Sequence, residues 1–241
     1  MLAKHQIFLK PRKIPAVKMA KFTCEKSGRC CQNLRNGRGF GLMLFDWEAL
    51  GFLNDGDRLL GRQPALQHII RADPKTRTRV ILMNQLAEDK CPFLDEENKC
   101  RVYPTRPLVC RGYPVQSTGL DPAHPTKVSV GRECSGCKTC GILRAVPAPK
   151  NNTQAYAAAK ILYETFGDSF VHQFMVEQNN NLDYLLLNQL KAMGHFGVTK
   201  EETKSWPLIS FGNLCKKSGL SHKYLRPEDL ESVKKELMGK I

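Results

Sequence analysis

The sequence predicts an α+β fold rich in loops, in which a small cysteine-dense domain is followed by a mainly helical C-terminal region. Three observations lead there. Nine of the ten cysteines lie between Cys24 and Cys140, and only Cys215 stands apart. The stretch from Cys91 to Pro114, CPFLDEENKCRVYPTRPLVCRGYP, holds four prolines and almost no apolar periodicity, so ordinary burial cannot organise it. Residues 153–193, by contrast, repeat apolar side chains at helical spacing.

Taken in order, residues 1–21 form a basic N-terminal arm and residues 22–145 the cysteine-dense domain. Within that domain GLMLFDWEALGFL (41–53) reads as a short strand running into a helix started by Asp46, with Leu50 and Phe52 or Leu53 turned inward. RTRVILMN (77–84) alternates into an apolar run and reads as a strand. GRGFG (37–41) follows a cysteine loop rather than a strand, so it reads as a turn and not as a phosphate cradle. VPAPKNN (146–152) reads as a linker into the helical region, 153–241. There Ala155, Ala159, Leu162, Phe166, Phe170 and Phe174, then Leu182, Leu185, Leu186, Leu190 and Met193 before Gly194, predict a helical hairpin. A last helix is expected from Pro227, burying Leu230, Val233 and Leu237.

With 41% apolar and 25% charged residues over 241 positions, the chain is globular rather than disordered. Lys, Arg or Pro interrupts every apolar run among the first twenty residues, and nowhere do eighteen apolar residues follow one another. The expectation is a cytoplasmic protein without membrane contact, whose cysteines are kept reduced and serve metal ligation or thiol chemistry rather than a disulfide framework. The net charge of +14 is concentrated at the start, where residues 1–40 carry ten Lys or Arg against Glu25 alone. Such an arm attracts polyanions, nucleic acid among them, through counterion release, yet reads no bases by itself; a solvated, solubilising arm is the blander reading.

The cysteine spacing carries the chemistry. Cys134, Cys137 and Cys140 form C-x2-C-x2-C, with Gly136 and Gly141 easing the turns so that one loop aims three sulfurs at one point. Three such thiolates call for a fourth, in tetrahedral zinc or in a cubane iron–sulfur cluster, and no local C-x3-C-P supplies it. Cys24, Cys30 and Cys31 make a second group, while Cys91, Cys100 and Cys110 are spaced too widely for one knuckle and must converge through tertiary folding. If adjacent Cys30 and Cys31 lie in extended backbone, their side chains leave on opposite faces, which suits two centres or two irons of one cluster. Arg106 and Arg111 flank Cys110, either to donate hydrogen bonds to cluster sulfurs or an anionic substrate, or to pair with Asp95, Glu96 and Glu97. The six histidines show no paired ligand spacing, and His124 reads as a surface-loop residue between Pro122 and Pro125.

Phe22, Cys24, Cys30, Cys31, the apolar LMLFDWEALGFL segment, Cys91-Pro92-Phe93-Leu94, Cys100, Tyr103, Arg106-Pro107, Cys110-Arg111 and Tyr113-Pro114 together resemble the YkgJ-type cysteine-cluster family of zinc- or iron-chelating domains. The resemblance covers residues 22–140 and implies a metal cofactor on these cysteines. Ser27 stands where the family places its second cysteine, which removes one thiolate from the first segment. Flagellin lysine N-methylases look similar in this domain and are linked to an iron–sulfur cluster. This chain, however, shows neither a strand with a GxGxG-like loop nor the C-x3-C-x2-C of radical enzymes.

Two function classes follow. In the favoured one, Cys134, Cys137 and Cys140 with one earlier cysteine hold a 4Fe–4S cluster, and most of Cys24, Cys30, Cys31, Cys91, Cys100 and Cys110 form a second centre. The work is then redox, sensing or cluster-dependent catalysis, as an oxidoreductase or transferase with a redox partner protein. In the other, the sulfurs bind Zn2+ structurally and the basic arm contacts nucleic acid or a partner protein. Nine clustered thiolates exceed what one structural zinc needs, which favours iron–sulfur.

Overall fold

The computed structural model describes residues 21–22, 28–32, 34, 42–120, 128–130, 149–197 and 202–241. The basic arm up to Ala20, the GRGFG turn, residues 146–148 of the linker, His124, Cys24, Ser27 and the Cys134–Cys137–Cys140 triplet lie outside the described residues.

The fold is α+β, as the sequence predicts. The expected strand-into-helix of the first segment is β1 (Met43–Leu44) leading into α1 (Asp46–Leu60), which Gly61 closes in the left-handed conformation. Its inward face is Ala49 and Phe52; Leu50 is 62% exposed, so its expected burial is corrected. Leu50 falls about 200° around the helix from Phe52, on the face turned to solvent.

An antiparallel hairpin of β2 (Leu66–Asp73) and β3 (Thr78–Leu86) follows, with a bulge at Ile69/Ile70, and β1 adds to the free edge of β3. Further along, β4 (Val115–Thr118) pairs antiparallel with β5 (Val128–Val130) in a separate two-stranded sheet. Between the sheets lies α2 (Leu108–Gly112), a single short turn of helix.

The predicted helical hairpin is α3 (Asn152–Phe166) and α4 (Asp168–Ala192), parted only by Gly167. Asn151 caps α3 through its side chain, which accepts the Gln154 N–H at 3.0 Å. Then β6 (Leu208–Ser210) joins β3 in parallel, running directly into α5 (Phe211–Lys217). The last helix, α6 (Leu230–Met238), begins after a 3-10 turn at Pro227–Asp229 and buries Val233 and Leu237, with Leu230 half-buried. Among the described residues no helix is long and apolar enough to cross a membrane.

Three apolar clusters form the core. The largest joins α3, α4 and α6 to Leu108 of α2 and Val115 of β4. A second gathers Leu44, Phe52, Leu86, Cys91, Phe93 and Val102 beneath the cysteine loops, with the rings of Phe52 and Phe93 edge to face at 4.7 Å. The third holds Val80 of β3 against Leu186, Leu190, Phe211 and Leu214. Polar ties reinforce the first: Gln173 of α4 donates to the Gln116 carbonyl at 3.0 Å, and the buried Glu177 accepts the Thr118 N–H at 2.8 Å. Phe22 is pinned to the same helices, its N–H on the Thr165 carbonyl at 2.7 Å and its ring 5.3 Å from that of Phe166. The residues on either side of 146–152 therefore share one core.

Candidate metal centre

Three separate segments carry the described candidate ligands. The first is a 3-10 turn at Arg29–Cys31, opened by Gly28 at φ +67°. A Cβ at Gly28 would lie 2.6 Å from the Asn98 carbonyl oxygen and 2.8 Å from Leu94 Cδ1, so only glycine lets this turn lie flat on the second segment. The Cys31 N–H returns to the Gly28 carbonyl at 2.9 Å, and Gln32 Nε2 donates to Asn98 Oδ1 at 3.1 Å.

The second segment is the loop from Cys91 to Cys100. Asp95 closes it: its Oδ1 accepts the N–H groups of Glu97 at 3.0 Å and Lys99 at 2.7 Å, while Leu94 and Cys100 face one another in an antiparallel bridge. The ends of the loop, and with them both thiols, thus come back together in the second core cluster. The Cys91 N–H donates to the Cys31 carbonyl at 2.8 Å, joining the first two segments directly.

The third is α2, which bears Cys110. Its N-terminal N–H, from Leu108, donates to Glu48 Oε1 at 2.6 Å, and the Phe45 N–H at the start of α1 donates to Glu48 Oε2 at 3.1 Å. One buried carboxylate thereby serves the orphan donors of two helices. Burial dominates its ionisation and raises its pKa to about 7, with both N–H donors opposing. At its other end α2 sits hard against α4: a Cβ at Gly112 would meet the Gln173 nitrogen at 3.0 Å.

These segments bring together five of the nine cysteines singled out by spacing. Cys30 and Cys31 have their sulfurs 3.9 Å apart. Hydrogen bonding to Cys31, followed by burial, pushes the Cys30 thiol pKa up. For Cys31 the bond to Cys30 favours the thiolate, but the bond to Cys91, burial and the charges of Cys91 and Cys100 prevail and push it up to about 12. Burial raises Cys100, and burial together with the charges of Cys31 and Cys30 raises Cys110. Clustered and half-buried, the thiols of Cys30, Cys31, Cys100 and Cys110 hold their protons at neutral pH, because thiolates there would repel one another. A soft cation reverses that balance, since each thiolate is attracted to it and gives up its proton on binding.

Among the described residues no three Cys, His, Asp or Glu side chains stand in an arrangement that by itself holds a metal ion. The fit rests instead on the donor set: all sulfur, drawn from three segments, buried or half-buried, and faced by a cation. That cation is Arg106, whose charge lowers the pKa of Cys30, Cys100 and Cys110. Its guanidinium lies over the Tyr103 ring at 3.6 Å and donates to the Tyr103 carbonyl at 3.0 Å. Arg111 donates to the Arg106 carbonyl at 2.7 Å and to that of Pro104, bracing the turn before α2. Asp95 and Glu97 are engaged within their own loop, the latter by Lys99. Cys215 is buried apart, in the third core cluster, as a small apolar side chain.

Residues 23–126 match the model of the CxxCxxCC family, described as a "Putative zinc- or iron-chelating domain". The chain is similar to that family over this segment. All five converging cysteines fall inside it. No curated protein and no solved structure matches the chain. Sequence reasoning missed Glu48, the residue that fixes how the matched segment presents Cys110; its signal was a glutamate two residues after Asp46, in the first turn of a helix that the sequence locates.

Proposed function

We propose that the cysteine-dense segment carries an iron–sulfur centre on most of the thiolates of Cys24, Cys30, Cys31, Cys91, Cys100 and Cys110. Cys134, Cys137 and Cys140 with the remaining one of these earlier cysteines hold a 4Fe–4S cluster. The observation that carries this reading is the gathering of five buried or half-buried thiols from three segments, beside a guanidinium that favours the ionised form of Cys30, Cys100 and Cys110. When bound, such a centre supplies one-electron chemistry or a sensor of oxidants. The chain's own residues set its surroundings: partial burial limits the access of water to the sulfurs, Arg106 offsets their negative charge, and Glu48 holds α2 in place. The role that follows is redox or sensing. Iron, sulfide and zinc analysis with a visible spectrum on anaerobically purified protein tests it. Several irons and sulfides per chain with broad thiolate-to-iron absorbance support the proposal; a colourless protein with one or two zincs overturns it in favour of a structural zinc module.

A further inference from the structure

Outside the cysteine centre, three segments meet beside the third core cluster: the end of β2, the residues after α4 and the end of α5. Asp73, the last residue of β2, is fully buried, and its Oδ2 lies 2.8 Å from His195 Nδ1. The same carboxylate accepts the Thr76 hydroxyl through Oδ2 at 2.5 Å and the Phe196 N–H through Oδ1 at 3.1 Å. Across the ring, His195 Nε2 lies 3.2 Å from Ser218 Oγ. His195 is 4% exposed, whereas Ser218 is half-buried at the surface.

The direction of each bond is fixed by its neighbour. Burial opposes ionisation of Asp73, but the bonds from Thr76, His195 and Phe196 outweigh it and hold the carboxyl below its ordinary range. An ionised carboxylate only accepts, so His195 must present N–H at Nδ1. In the neutral imidazole that leaves the lone pair on Nε2, and the Ser218 hydroxyl donates to it. A hydroxyl on a base whose tautomer a buried carboxylate fixes is the arrangement of an activated nucleophile. Two features suit it to an acyl group. Ser218 follows α5 at the molecular surface beside exposed Lys216 and Lys217, whose charges offset the negative end of that short helix. Gly219 next to it is exposed, so no bulky side chain covers the approach.

We propose that Asp73, His195 and Ser218 form a second catalytic site that hydrolyses small carboxylic esters through an acyl-serine. Ser218 Oγ bonds to the ester carbonyl carbon as its proton passes to His195 Nε2. The C–O bond to the alcohol then breaks, and that proton leaves on the alcohol oxygen. Water adds to the acyl-serine by the same exchange, releasing the carboxylic acid and restoring the Ser218 hydroxyl.

The test uses the full-length protein with a fluorophosphonate probe, whose adduct is mapped by peptide mass spectrometry, and with p-nitrophenyl acetate. Many surface amines and thiols react with the acetate, so the mapped adduct decides. The expected result is a single adduct on Ser218 and ester turnover that falls at least about 100-fold in Ser218→Ala. Ser218 is half-buried, so this variant keeps its fold, and an unchanged circular dichroism melt confirms that. Asp73→Asn, which favours the wrong tautomer, should lose the adduct as well. An unlabelled Ser218, a label elsewhere, or wild-type turnover in Ser218→Ala overturns the proposal and leaves the three residues as a structural pin between β2, α4 and α5.

Discussion

Gly28→Ala perturbs the candidate centre without touching a thiol. Two costs add at this position. A residue with a side chain at φ +67° costs about 1–2 kcal/mol. The new Cβ would also stand 2.6 Å from the Asn98 carbonyl oxygen, 2.8 Å from Leu94 Cδ1 and 2.9 Å from Asn98 Cβ, and forcing backbone and core apart costs a further 1–3 kcal/mol or so. Together roughly 2–5 kcal/mol falls on the contact that keeps Cys30 and Cys31 against Cys91 and Cys100. Two other glycines separate the terms. Gly61→Ala has the same sign of φ but nothing within 4 Å of its Cβ, and should cost about 1 kcal/mol. Gly51→Ala, mid-helix and also clear of neighbours, should stabilise by about 0.5–1 kcal/mol. Urea denaturation ranks the three, and metal content per chain after anaerobic purification reads the centre. Gly28→Ala should lose metal while the other two keep it. If Gly28→Ala retains wild-type metal and stability, the docking of the cysteine turn on the Leu94–Asn98 loop is not what positions these thiols.

Three further predictions concern single side chains. Glu48 has a folded pKa of about 7, above its ordinary value, so its contribution is fully present below about pH 4.5 and is lost as pH rises through 7. Urea titrations from pH 5 to 8 should therefore show wild type losing stability relative to Glu48→Gln, and parallel curves would refute that burial dominates this carboxyl. Phe93→Ala empties the fully buried space against Phe52 and should cost about 3–5 kcal/mol, read from the shift in denaturation midpoint. Arg106→Met removes the charge that favours the thiolates of Cys30, Cys100 and Cys110, so metal loading followed against pH should move to higher pH; an unchanged midpoint would show that Arg106 is only a ring-stacking strut.

The parts legible in the sequence were those with strong local patterns. Asn151, the stripe from Ala155 to Phe174 and the leucines up to Leu190 gave α3 and α4, and Pro227 marked the approach to α6. β2 escaped because LQHIIRAD is exposed along most of its length and shows no clean alternation; only its pairing with β3 makes it a strand. Leu50 misled because an apolar residue in an amphipathic run was assigned inward without its angle around the helix. For the centre, spacing showed that Cys91, Cys100 and Cys110 must converge, but not what makes them do so. That work is done by Gly28, Asp95, Asn98 and Glu48, whose roles are contacts between distant segments. Nothing local in Asp73, His195 or Ser218 announces that they meet, since more than a hundred residues lie between the first two.

The central claim is that thiols gathered from distant segments of residues 23–126 hold the metal, and metal stoichiometry of Cys110→Ala beside Cys215→Ala tests it most directly. Cys215 is buried and Cys110 half-buried, but only Cys110 lies among the clustered thiols. Purified anaerobically in parallel, Cys110→Ala should lose metal and sulfide while Cys215→Ala keeps the wild-type content. Full retention in Cys110→Ala, or equal loss from both, would contradict it.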